Sequence, residues 1–389
     1  MLSKRWYAVL FMALLYALSS VDRYITVLLL ADIGAEFGAS DTTLALLVGA
    51  AFSIVYAIGG VPVAYLLDRY HRIGIVAVGV LLWSVCTALS GLAPDFTWLM
   101  ILRGGVALGE AVVTPATVSL VADLFDGRSR VRALAVYGLV ASLMVTGALV
   151  IGGMALGLAN HIAAAGATLV PWRLTFLVVG LPGIVLAGLA ILTIGEPARQ
   201  SGTVAKGNST SLFAQRGFVR SNAAFFGFYY LGLGALNSII VSALTWTPTI
   251  ARRTFEVPAA EAGIKLGIAG VPGILLGTFL WLKFGEAAER TGSAHSYLKG
   301  FALATAVLGG GAFAAALAPS LDILLICAFI AAIGTAASTT LAPMLVQTIG
   351  PPTIKAQLTA MNILFGTLVG MTLGPLGVTV FAQLAGTSD

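Results

Sequence analysis

The chain has 389 residues, 59% of them hydrophobic and only 10% charged, with a formal net charge of +5. Soluble domains carry about 25% charged residues, and no soluble core could enclose this much apolar surface, so the composition excludes a soluble fold and points to a polytopic membrane protein. The basic balance does not point to nucleic acid, because the cations lie in short loops between apolar runs; no nucleic-acid partner is expected.

The N-terminus, MLSKRWYAVLFMALLYALSS, has the basic start and apolar run of a signal peptide. The apolar run, however, continues past Asp22-Arg23 into YITVLLLA, so it reads as a first transmembrane helix anchored by Lys4 and Arg5. A span needs about 20 apolar residues. Runs of that length fall at 6–31, 42–66, 73–92, 97–123, 132–158 and 173–194, then at 222–248, 262–282, 297–317, 321–346 and 355–381. The expected organisation is an N-terminal six-helix bundle over 1–195, a cytoplasmic central loop over 196–221, and a C-terminal bundle of five spans over 222–389. With the N-terminus inside, inside segments hold 15 of the 21 Lys and Arg residues and outside segments hold four, a strong positive-inside asymmetry. The final residues, FAQLAGTSD, fall outside where a twelfth helix would begin its return, so the chain is expected to stop short of a final span, with a true eleven-helix protein as the alternative.

The two halves echo each other. AYLLDRYHR (64–72) follows the second span and KFGEAAERTG (283–292) follows the eighth, each a short inside turn with an acidic-Arg pair, Asp68-Arg69 and Glu289-Arg290. Halves repeated about an axis along the membrane normal characterise one large transporter class. Cys86 and Cys327 lie in apolar spans and read as small hydrophobes, the three histidines read as loop residues, and no metal-ligand spacing occurs.

Four ionisable residues lie well inside spans: Asp22, Arg23, Arg103 and Glu110. Each costs about 2.5–3.5 kcal/mol on insertion scales, and such residues mark ion paths, proton relays or substrate sites. A static ion pair locking two helices is the simpler alternative, but four charges in one half exceed what one lock needs. Arg103 and Glu110 are seven residues apart, about 20° short of two turns, so they share a helix face about 10 Å apart. Asp22 lies about 24 Å along a climbing span and Arg103 about 9 Å into a descending one, so within a core about 30 Å thick they are expected to be level, with Glu110 deeper. Removal from water favours the neutral form of a carboxyl, whereas arginine stays charged. A Glu110 whose proton depends on what holds Arg103 would be a coupling device, with Asp22 as a second proton-coupling residue. The second half offers polar rather than charged residues, among them Asn237, Trp246 and Asn362; Tyr56 and Tyr137 add to these from the first half. For each alone, interhelical packing is the simpler explanation. Together with Arg103 and Arg23 they outline a cavity charged on one side and amphipathic on the other, suited to an anionic head with an apolar body. The small residues of Gly105-Val-Ala-Leu-Gly109 predict a close helix seam, and Pro62, Pro115, Pro182, Pro272 and Pro343 are expected to kink or soften their spans.

The turn LLDRYHR (66–72) resembles the signature loop of the major facilitator superfamily, although Ala64 stands where that pattern has glycine. VDRYITVLLLADI, the R-x-G-V-x-x-G-E-A pattern at 103–111, VSLVADLFDGRSRVRALAVY (118–137) and FLVVGLPGIVLAGL (176–189) resemble the Spinster family of sphingolipid and lysolipid transporters. The likeness is good over the first six spans and loose over the rest. It implies an all-α membrane protein with the major facilitator fold, two pseudo-symmetric six-helix bundles working by alternating access. It also implies Glu110 as the proton site, Arg103 as its switch, Asp22-Arg23 in the same network, and an inside gate of Asp68, Arg69 and Arg72 with Asp123 and Arg130. GALVIGG (147–153) lacks the proline of an antiporter motif, so symport and antiport stay open. The expected function is a proton-coupled carrier of an anionic amphipathic molecule, such as a lysophospholipid or sphingoid phosphate, with no cofactor beyond the proton gradient. A monomer in a bacterial cytoplasmic membrane is expected, with small-molecule or lipid substrate and membrane lipid as its partners. A same-fold carrier of a small organic anion or drug, and a receptor or scaffold without transport, are the rival readings.

Overall fold

The computed structural model describes residues 3–197, 220–291, 294–349 and 355–386. Most of the central loop expected at 196–221 lies outside them. Among the described residues, eleven helices are long and apolar enough to cross a bilayer, at the eleven positions read from the sequence. Two of the eleven spans are broken, so the element order is α1 (Lys4–Phe37), α2 (Asp41–Val48), α3 (Ala50–Arg69), α4 (Arg72–Ser90), α5 (Phe96–Glu110), α6 (Val113–Leu124), α7 (Gly127–Ala164), α8 (Pro171–Thr193), α9 (Ala223–Phe255), α10 (Ala259–Thr291), α11 (Ala294–Ala316), α12 (Leu321–Ile349) and α13 (Lys355–Leu384).

Local chemistry sets the ends. α1 stops at Gly38, which takes the left-handed conformation (φ 62°) and sends its N–H back to the Gly34 carbonyl. Ser40 then caps α2 by accepting from the Thr43 N–H at 3.3 Å, and Asp95 caps α5 by accepting from Trp98 N–H at 2.9 Å. The second span breaks at Gly49 (φ −99°, ψ −88°) rather than at Pro62, which lies inside α3. The fourth span breaks between α5 and α6, immediately after Glu110. Pro115 accounts for that break, since it offers no N–H to the carbonyl of Ala111 and its ring crowds that turn. Pro182, Pro272 and Pro343 lie inside helices that continue through them, so of the five expected kinks only the one at Pro115 coincides with an interruption. Most helices outrun their apolar runs. α7, for example, begins at Gly127, ahead of the arginines at 128, 130 and 132, because intrahelical hydrogen bonds remain favourable after the chain leaves hydrocarbon.

The described residues group into two compact units. The first comprises Met1–Arg199 together with Thr245–Ile268 and Thr379–Asp389; the second comprises Gln200–Leu244 and Ala269–Val378. In the first, α1 runs along α7 and α8, and α4 along α5 and α8. The α4–α5 contact is the predicted glycine seam: a Cβ at Gly109 would stand 2.6 Å from the Gly79 carbonyl oxygen and 2.7 Å from the Trp83 nitrogen, so only glycine lets the two backbones approach this closely. The end of α9 and the start of α10 also belong to this unit. Arg252 grips Asp32 (2.9 and 2.7 Å) and Arg253 grips Asp41 (2.9 and 2.9 Å), each through both guanidinium nitrogens. In the second unit α11 packs on α12, Leu236, Ile240, Leu308 and Ala331 form a core, and Trp281 donates to the Ile333 carbonyl at 2.7 Å. Large apolar side chains such as Phe228, Leu192 and Val185 stand exposed on the outside of their helices, as a lipid-facing surface requires.

A buried charge network as the candidate functional site

The four intramembrane charges come together in the first unit. Asp22 and Arg23 are consecutive on α1, and consecutive residues on a helix point about 100° apart. Asp22 turns into the bundle and is fully buried, whereas Arg23 crosses to α5 and its Nη2 donates to Glu110 Oε2 at 2.6 Å. Glu110 is sealed, with 1% of its side chain exposed, against 19% for Arg23. The Arg23 guanidinium lies over the Phe52 ring at 4.7 Å and the Tyr56 ring at 5.7 Å, both on α3, and these two rings stack on each other. Cation–π contact holds the guanidinium against α3 while its Nη2 meets the carboxylate.

Arg103 does not take the place expected of it. It is buried, and its Nη1 donates to the main-chain carbonyl of Asp22 at 3.3 Å. It is thus level with Asp22 as the helix geometry predicted, but the partner in contact with Glu110 is Arg23. The reason is reach: Arg103 lies two turns from Glu110 along one helix, while Arg23 faces it across the α1–α5 contact. Glu110 Oε1, both Asp22 carboxylate oxygens and the Nε atoms of Arg23 and Arg103 are buried without a hydrogen-bond partner.

Polar aromatic groups continue from this network. Tyr137 of α7 shares a 3.0 Å hydrogen bond with Thr114, at the start of α6, and meets the Tyr16 ring edge-on at 5.4 Å. Trp246 lies buried in the same unit, at the end of α9. Asn237 and Asn362 belong to the second unit. Asn237 donates to the Leu233 carbonyl of its own helix at 2.8 Å and packs on Gly370, while Asn362 is buried with its Oδ1 unpartnered.

The residues expected to gate the inside lie at the helix ends near residue 196. Arg72 is buried and forms a hub: it donates to Glu196 at 2.7 Å, to the Ser119 hydroxyl at 2.9 Å and to Asp123. Glu196 also accepts from the Ile73 N–H at 3.1 Å. Sequence reading missed Glu196; its signal was an acid immediately after an apolar run, in TIGEPAR. Arg130 sits beside this hub but bonds the Ala122 and Phe125 carbonyls, closing the end of α6. Asp68 and Arg69 end α3 exposed, with Arg69 over the Tyr65 ring at 4.2 Å. No group of three or more His, Cys, Asp or Glu residues is placed to hold a metal among the described residues.

Eleven helices of membrane-spanning length, with a charge network buried among those of the first unit, define a polytopic membrane protein. The profile of the Major Facilitator Superfamily matches residues 12–375, and the chain belongs to that superfamily. It is similar to an MFS-type efflux pump of Mycolicibacterium smegmatis, 31% identical over 70% of this chain and 61% of that protein. It is also similar to Protein spinster of Drosophila melanogaster, 28% identical over 71% of this chain and 46% of that one. The chain thus spans roughly half to three fifths of these curated relatives. A crystal structure of a bacterial homologue of the human lysosomal transporter Spinster, inward-facing and unoccupied, superposes with a TM-score of 0.81 at 28% identity, covering 99% of this chain and 84% of that one. The resemblance to Spinster therefore holds in the fold as well as in the motifs.

Proposed function

We propose that the chain is a proton-coupled secondary carrier that works by alternating access on an anionic amphipathic cargo, such as a lysophospholipid or sphingoid phosphate. The observation that carries this reading is the Arg23–Glu110 pair. One partner is sealed, and the other lies against two aromatic rings with part of its side chain exposed. An anionic head that captures the exposed guanidinium takes it from Glu110, and a buried carboxylate left without its counter-charge takes up a proton. The aromatic faces of Phe52 and Tyr56 offer apolar contact to the body of the same cargo. Arg23 is thus the switch in this scheme, and Arg103 holds the α1 backbone beside it. The excess of Lys and Arg in the loops on the N-terminal side supports a cytoplasmic N-terminus in a bacterial cytoplasmic membrane.

The likeness to an efflux pump favours a second reading, the same cycle with a drug or small organic anion as cargo. Both are tested in proteoliposomes loaded with a pH-sensitive dye. Addition of a lysophospholipid, a sphingoid phosphate or a small organic acid is expected to drive proton flux for the amphipathic cargo alone. Glu110→Gln is expected to abolish that flux while the variant still binds cargo in a thermal-shift titration. Wild-type proton flux in Glu110→Gln refutes the scheme, and flux with the organic acid alone selects the second reading.

A further inference from the structure

A second arginine–carboxylate pair faces a cavity at the end of the first unit where α1 stops and α8 begins, away from the Arg72 hub. The cavity holds about 530 Å³. Its polar walls are Asp32 and Glu36 of α1, Asn160 of α7 and Arg252 of α9, and its apolar walls include Leu156 and Trp172. The two carboxylates lie one turn apart on the same face of α1 but are held differently. Glu36 is fully engaged. Its Oε1 accepts from Arg173 Nε at 3.0 Å and Nη2 at 2.6 Å, and its Oε2 accepts from Trp172 Nε1 at 2.6 Å. Asp32 depends on Arg252, whose Nη1 and Nη2 donate to its two oxygens at 2.9 and 2.7 Å. The side chains of that pair are 34% exposed at Asp32 and 35% at Arg252, so a ligand can exchange the bond at small cost.

We propose that this cavity is a binding site for a zwitterionic amphiphile, a molecule with an ammonium and an anionic group in one head and an apolar body behind it. The charges in the walls select that class. An anion that takes the Arg252 fork leaves Asp32 unpaired one turn from Glu36, with two like charges on one helix face. A cation that takes Asp32 leaves the guanidinium unpaired in the cavity. A head carrying both charges replaces one bidentate pair with two contacts, ammonium to Asp32 and anion to Arg252, and strands neither. Asn160 adds an amide that can donate and accept at the same wall. Leu156 and Trp172 supply an apolar surface for the body, and the volume lies within the range of small-molecule sites, about 300–1,000 Å³. Asp32 is nine residues beyond Arg23 on α1, so it lies about 13 Å further along the axis and half a turn around it. The site is therefore separate from the Arg23–Glu110 pair and does not rest on the exchange proposed there.

The test uses no transport. The full chain in detergent is melted with three short-chain probes of matched chain length: a lysophosphatidylethanolamine (zwitterion), a lysophosphatidylglycerol (anion) and an alkylammonium (cation). An Arg23→Met/Glu110→Gln background lacks the other pair, so binding there reports the cavity. The expected result is a saturable rise in Tm with the zwitterion, at a midpoint about tenfold below that of either singly charged probe. Arg252→Gln and Asp32→Asn are each expected to raise that midpoint about tenfold. Ala35→Trp, which fills the cavity without touching a charge, is expected to abolish the rise. In the unsubstituted chain the cavity accounts for the part of the rise that Ala35→Trp removes, which keeps the test available should the background fold poorly. No rise, equal midpoints for the three probes or for free phosphoethanolamine, or a rise unchanged by Arg252→Gln and Ala35→Trp overturns the assignment.

Discussion

Cutting the Arg23–Glu110 contact separates a working ion pair from an inert lock. At 2.6 Å and an effective dielectric constant of about 20, the attraction between the two charges is about 6 kcal/mol. Desolvation of both groups consumes much of that, so the pair adds little net stability as it stands, but removal of one partner strands the other. Arg23→Met leaves Glu110 sealed with no counter-charge in contact and is expected to cost about 3–5 kcal/mol if the carboxylate stays ionised. Protonation of Glu110 relieves that cost, so the loss should shrink as pH falls. The double variant Arg23→Met/Glu110→Gln has neither charge and should be more stable than Arg23→Met alone. The assay is reversible unfolding in mixed detergent–SDS micelles, run as a double-mutant cycle at two pH values. Additive losses, or an Arg23→Met deficit that does not change with pH, refute both the pairing energetics and the proton uptake inferred from them.

Other contacts give sharper structural tests. Gly109→Ala places a Cβ 2.6 Å from the Gly79 carbonyl and should cost about 1–3 kcal/mol, whereas at Gly104 the nearest atom is Val55 Cγ2 at 3.5 Å, so Gly104→Ala should be neutral or stabilise by up to about 1 kcal/mol; parallel melts compare them. Arg72→Lys keeps the charge but loses the fork that reaches Glu196, Ser119 and Asp123 together, and should cost about 1.5–3 kcal/mol in the same assay. Arg252→Gln with Arg253→Gln removes two pairs whose partners are a third or more exposed; the loss should be at most about 1 kcal/mol per pair and should fade between low and high salt, as melts in a salt series would show.

How far each feature was legible depended on how local its physics is. The eleven spans were legible because hydrocarbon imposes a length of about 20 apolar residues on any helix that crosses it. The glycine seam was legible because small residues four apart leave a groove on one helix face whatever packs there. The break after Glu110 was visible in Pro115, but the break at Gly49 carried no sequence signal that distinguished it from other glycines, and Pro182, Pro272 and Pro343 left their helices uninterrupted. The Arg72–Glu196 bond joins residues 124 apart, and no periodicity reports a contact between the ends of two different helices.

The division of labour between Asp22 and Arg23 shows why the charge network could be located from sequence but not wired. Depth along a helix follows from counting residues, so placing Asp22 level with Arg103 needed only the rise per residue. Direction around the axis also follows from counting, but only relative to the helix itself; which neighbour lies in that direction is set by packing. Two adjacent charges about 100° apart must face different surroundings whatever the rotation of α1. One faces Phe52, Tyr56 and Glu110, and the other faces Thr87 and the Asp22–Arg103 main-chain contact. The pair Asp22-Arg23 therefore divides the network into a partly exposed half, where Arg23 meets Glu110, and a sealed half around Asp22. One helix supplies that separation with two consecutive residues.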